Sequence, residues 1–349
     1  MRRRTLIRAL LAGAASLPAC SKDGTRAEVL RSVIERVLQP NAKAAAADSR
    51  QLEHELLMLG AEPTVGTLRA ARASWQRALL SWKRLDAFRI GPILESNSLL
   101  RVMFWPVRTA GIDALLQGSP AIDDASVDAM GVDRRGLFAL EYLLFSDETE
   151  EQCSARFAGS TGERRTQLAR ALAANVSFYA EGVARSLGDG RVYARKFADE
   201  GQDSVNRLVA QLVYTVENVS ANRFARVSSL VKTGKLKPKE LEGGAARLSQ
   251  QIALTYLRAS EALYVAEERG LCRLVQAQSP KVDHELRSAF AEAISLVSAL
   301  GAPIEEAAER DPVRFQAASD AVKKLERALK VELASVLGVT STFSSVDGD

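Results

Sequence analysis

This sequence is poor in the residues that usually announce a site. Its 349 residues include 3 Cys, 2 His and 10 Pro, and only 6% are aromatic. Three cysteines cannot staple a disulfide scaffold. Two histidines exclude a His-rich metal centre. His54-Glu55 and His284-Glu285 each begin like a zinc-peptidase H-E-x-x-H helix. Met58 and Ser288 stand where the second imidazole is needed, so neither pair grips zinc. There is no G-x-S-x-G elbow and no phosphate-cradling glycine loop. Ser229-Leu230-Val231-Lys232 fits S-x-x-K, a pattern short enough to arise by chance. Alternating strand patterns are almost absent.

What is present is 47% hydrophobic and 26% charged. That is too apolar for a disordered chain and too mixed in charge for a membrane bundle. The formal net charge is +4, but Arg2, Arg3, Arg4 and Arg8 crowd the first eight residues. Removing that segment leaves +4 − 4 = 0. A chain with no basic excess argues against a nucleic-acid partner.

The first 19 residues are expected to be a signal peptide, with a basic start, an apolar stretch over residues 5–17 and small residues before a break. The stretch is too short to span a bilayer as a mature helix. Leu17-Pro18-Ala19-Cys20 resembles a bacterial lipobox, which makes Cys20 the lipidated first residue of the mature chain. The expected location is the periplasm, anchored to a membrane, with Ser21 favouring the outer one. The alternative is a soluble secreted protein that does not use Cys20. Arg3-Arg4 leaves both general and twin-arginine export open. The remaining thiols, Cys153 and Cys272, sit in apolar helical contexts, so burial as thiols is favoured over a bridge.

The mature chain carries a 3.6-residue apolar period almost throughout. Examples are Val29, Val33, Val37; Trp75, Leu79, Trp82; Leu168, Leu172, Val176; and Val322, Leu325, Leu329. Such spacing places apolar side chains on one helix face. Thr64 and Asp311-Pro312 are N-terminal caps by type, and Gly270 and Gly338 are expected helix stops. The fold class is all-α, with two packed helical bundles expected over residues 20–190 and 191–349. Gly188-Asp189-Gly190 marks the boundary, and residues 232–244 form a charged loop broken by Pro238.

Two stretches could carry chemistry. Residues 89–106 hold Gly91-Pro92, Arg101 and Trp105-Pro106. Residues 136–145 embed a single acid, Glu141, among Leu and Phe. A carboxylate buried there needs a partner. The bland partner is Arg101, Arg134 or Arg135; the sharper one is a cation or ligand.

These residues, in this order, resemble the imelysin family of bacterial envelope proteins, particularly its periplasmic lipoprotein branch. Trp75 with Trp82, Gly91-Pro92-Ile93, Phe104-Trp105-Pro106, the block at residues 136–145, Lys237-Pro238 with Arg247-Leu248-Ser249, and the ending at residues 343–349 carry the likeness. The resemblance implies two helical bundles and a role in iron or haem acquisition. Gly136 and Glu141 match the family's G-x-H-x-x-E block, but Phe138 stands at its histidine. A phenyl ring neither ligates a metal nor carries a proton. The expectation is therefore a binding protein without catalytic residues, with a ligand near Glu141, Arg101 and Trp105. The alternatives are a metal-dependent peptidase of the imelysin type and a docking lipoprotein for an envelope partner. Iron or another divalent cation could be held by Glu141 or by Asp347 and Asp349.

Overall fold

The computed structural model describes residues 22–146, 149–188 and 191–339. Cys20, Asp347, Asp349 and the proposed signal peptide lie outside the described residues. Among the described residues every regular element is helical.

Helix α1 (Lys22–Val33) runs through a wider π turn at Ile34–Leu38 into α2 (Gln39–Ala61). Then come α3 (Val65–Asp86), α4 (Gly136–Phe145) and α5 (Gly159–Leu187). Between α3 and α4 the chain forms short helices, including Ser98–Met103, and the Trp105–Pro106 bond is cis. The second half adds α6 (Gln202–Asn218), α7 (Ser249–Val265), α8 (Pro280–Ser298) and α9 (Pro312–Ala328).

Helix α2 packs along α3 and α5, and α4 lies on α5 and α3. In the second half α8 packs on α9 and α7, while α6 touches α7 and α9. The seam between these groups is α3 against α7. Helix α1 crosses over to pack on Arg191–Asp199 and Leu271–Gln278. One hydrophobic cluster runs through both halves.

The caps follow the chemistry of their residues. The Thr64 hydroxyl accepts from the Thr67 N–H and closes a capping box at α3. The Asp311 carboxylate accepts from the Arg314 N–H ahead of Pro312. Gly270 departs from its expected role. Helix α7 stops at Val265, and Ala266, Glu267 and Glu268 take the left-handed turn with φ of 39°, 53° and 62°. Gly270 has an ordinary φ of −86° and is needed for space, since a Cβ there would lie 2.4 Å from the Tyr264 carbonyl oxygen. Cys153 and Cys272 are both buried as thiols.

Trp75 and Trp82 are fully buried on α3 and satisfy their indole N–H groups internally. Trp75 donates to the Leu137 carbonyl at 2.7 Å, and Trp82 to the Ser49 hydroxyl at 3.1 Å. The first contact pins the start of α4 to α3. The C-terminal carbonyls of α4 meet arginines, with Arg72 donating to Leu144 at 2.8 Å and Arg165 donating to Leu143. Cationic donors at a helix C-terminus satisfy both its open carbonyls and its dipole.

Gly136 opens α4 with φ +79°, and a Cβ would sit 2.3 Å from the Val102 carbonyl oxygen. Gly182, inside α5, has nothing within 4 Å of where a Cβ would be. Gly136→Ala should therefore destabilise by about 2 kcal/mol or more. Gly182→Ala should stabilise by up to about 1 kcal/mol. Urea-denaturation midpoints of the two variants test this opposite pair of signs.

Candidate functional site

Asp86 stands four residues after Trp82 and seven after Leu79, so it occupies the buried stripe of α3. Lys83, one turn earlier, is 2% exposed, whereas the adjacent Arg84 turns outward with a side chain 38% exposed. Two charges thus enter the seam from a helix that is otherwise packed with Trp, Leu and Ala. Neither can stay there unpaired.

Their partners come from the second half. Residues 233–248 form a loop after the helix Arg226–Lys232, and they carry Glu242 inward. The Glu242 carboxylate is bridged by Lys83 on one side and by the buried Arg223 on the other. Burial alone would raise its pKa, but the two cations outweigh that and hold it at about 2. Asp86 accepts from the Tyr256 hydroxyl of α7 and pairs with Arg89 at 2.8 Å. Lys83 also sits 5.5 Å over the rings of both Phe138 and Tyr256.

Arg223 owes its place to a second wide turn. Val219–Ala225 is a π segment between α6 and Arg226–Lys232. Such segments often mark functional positions. Asn222 and Arg223 of this segment, with Asn218 and Arg226 at its two ends, line a cavity of about 410 Å³. The lining also includes Lys83, Asp86, Glu242 and Tyr256, together with apolar Leu99, Met103 and Leu241. Trp105 lines the mouth, with the Arg226 guanidinium 5.1 Å from its ring.

Glu141 does not line the cavity. It is 6% exposed, and its Oε1 accepts the Ala246 N–H at 3.1 Å. Burial pushes its carboxyl up to about 8; the Ala246 amide opposes the rise and nearby Glu242 adds to it. At neutral pH it is mainly a neutral acid tying the loop to α4. Its partner is a backbone amide of that loop and none of the three expected arginines. Arg101 pairs with Asp128 at 3.5 Å and lies over Tyr179 at 5.6 Å. Arg135 is buried and donates to the Asp128 carbonyl at 2.7 Å. Arg134 faces Asp133 at 3.8 Å. Of the residues expected around a ligand, Trp105 lines the cavity, while Glu141 and Arg101 do not.

Sequence reasoning missed Lys83, Asp86, Arg223, Glu242 and Tyr256. One signal was available, the charge of Asp86 at a stripe position of α3.

No group of three or more His, Cys, Asp or Glu among the described residues could hold a metal ion. The carboxylates nearest the cavity are already committed to Lys83, Arg223, Arg89 and Tyr256. The residues present do not fit a bare iron ion, which wants several free oxygen or nitrogen donors.

The fold and the cavity define a class, helical proteins with a charged pocket where two groups of helices meet. The family model for imelysin matches residues 38–331, and the chain belongs to the imelysin family. Two solved structures share the fold. One is an imelysin-like protein from Psychrobacter arcticum 273-4, 19% identical, covering 91% of this chain and 96% of that one, with a TM-score of 0.76. The other, from Parabacteroides distasonis ATCC 8503, is described as a candidate iron-regulated protein A precursor. It is 14% identical, with a TM-score of 0.77 over 94% of this chain and 98% of that one. No curated protein matches the chain.

Two substitutions separate the buried acids. Glu242→Gln leaves Lys83 and Arg223 without a counter-charge and should cost about 3 kcal/mol or more. Glu141→Gln keeps an acceptor for the Ala246 amide and does the reverse. The folded carboxyl titrates near 8, against an ordinary value of 4.5, so the folded chain holds the extra proton between them. Its stabilising effect is complete below about pH 4.5 and is lost as pH rises toward 8. Glu141→Gln should therefore gain on the wild type as pH climbs from 5 to 8. Denaturation midpoints measured across that range would show the two curves diverging; parallel curves would contradict the assignment.

Proposed function

We propose that this chain is an exported, non-enzymatic binding protein of the bacterial envelope, serving iron or haem acquisition by holding a small ligand in the seam cavity. The observation that carries this reading is the state of the family's G-x-H-x-x-E block. Phe138 replaces its histidine, and Glu141 is sealed behind the loop with its carboxylate turned to a backbone amide. A general base must reach the proton it removes, and this acid reaches a structural amide instead. The cavity beside it is large enough for a small molecule. The iron-regulated description of one structural neighbour supports the physiological side of the reading.

The likeness of Leu17-Pro18-Ala19-Cys20 to a lipobox supports anchoring through Cys20, with the bulk of the chain in the periplasm. No described helix is long and apolar enough to cross a membrane.

Equilibrium dialysis of the mature protein against periplasmic extract tests the ligand-holding role. Leu100 lines the cavity and is half exposed, so the wild type should retain a compound that Leu100→Trp, which fills part of that space, does not. Retention of nothing by the wild type would overturn the reading. Metal-dependent peptide cleavage abolished by Glu141→Gln would overturn its non-enzymatic part. Cys20→Ser should move the protein from the detergent phase to the aqueous phase on cloud-point partition.

A further inference from the structure

We infer that the seam cavity is built for a small, multiply charged oxyanion, so that iron enters it as an anionic chelate and not as a free ion. The inference rests on the ligand-holding role above and names the chemical class of the ligand. It starts from the charge of the walls. Lys83, Arg89, Arg223 and Arg226 line the cavity against only Asp86 and Glu242. Both carboxylates are consumed inside the protein, Asp86 by Tyr256 and Arg89, and Glu242 by Lys83 and Arg223. Positive charge is left over in a partly apolar enclosure, where the field of each cation is less screened than in water.

One of these cations has its binding capacity left, because Lys83, Arg89 and Arg223 are already paired with Glu242 or Asp86. The exposed Arg226 meets only the face of Trp105, which orients the guanidinium at the mouth without neutralising it. Guanidinium groups bind carboxylate and phosphate oxygens in a two-pronged fashion, which suits this wall. A bare ferrous or ferric ion would face repulsion from these cations and find no free carboxylate. A chelate wrapped in carboxylates carries its own donors and presents a negative exterior, which matches both the charge and the volume of about 410 Å³.

Isothermal titration of the mature wild-type chain with citrate, ferric citrate, inorganic phosphate and ferrous iron decides the matter. Saturable binding of citrate or its ferric complex, weakened at least tenfold by Arg226→Gln and falling as salt rises, supports the inference. Arg226 is on the surface, so the variant should keep its fold, as circular dichroism can verify. Tight phosphate binding with citrate and ferric citrate silent overturns the chelate and leaves the oxyanion class, assigned to phosphate compounds. Saturable ferrous iron binding with silent anions overturns the inference while leaving a ligand-holding cavity. If every probe is silent but dialysis still retains a compound blocked by Leu100→Trp, the anion assignment fails alone; if dialysis is silent too, both fail.

Discussion

The arrangement of this molecule around its cavity depends on one buried carboxylate, Glu242. It comes from a loop rich in Lys and Gly and is gripped by Lys83 of the first half and Arg223 of the second. Neither cation could remain buried without it, and the loop has no other charge in the seam. The same loop presents the Ala246 amide to Glu141. Loop, α3, α4 and the π segment after α6 are thereby fastened at one point, and the cavity takes its shape from that fastening.

The two acids at this point have opposite electrostatics although they share a neighbourhood. Glu242 is held ionised by two cations, whereas burial keeps Glu141 protonated to about pH 8. Had both been ionised, they would repel each other across the loop. Phe138 fits the same logic, because its ring lies under the Lys83 ammonium. A neutral π face accepts that cation without adding a titrating group. The phenyl ring thus supports the buried cation that Glu242 pairs with.

Much of the fold was legible in the sequence. The 3.6-residue stripes lead to the helices, and Thr64 and Asp311 cap them as their side chains suggest. Glu141 stood out because an acid among Leu and Phe demands a partner. The rest of the site was hidden for physical reasons. Lys83 and Arg84 are consecutive cations, and one-dimensional periodicity does not say which is buried. Glu242 sits in a stretch whose composition suggests a solvated loop. Arg223 depends on a π turn, which shifts the register that a regular helical period assumes. Gly270 resembles a helix stop but answers a steric demand, while three non-glycine residues make the turn.

The central claim is that the loop over residues 233–248 is locked to the core by two buried acids, its own Glu242 and Glu141 of α4. Amide hydrogen exchange at Ala246 measures this directly. The account predicts core-like protection of that amide in the wild type and its loss in Glu242→Gln under conditions where α2 and α5 stay protected. Exchange at Ala246 as fast as in an open surface loop of the wild type would contradict it.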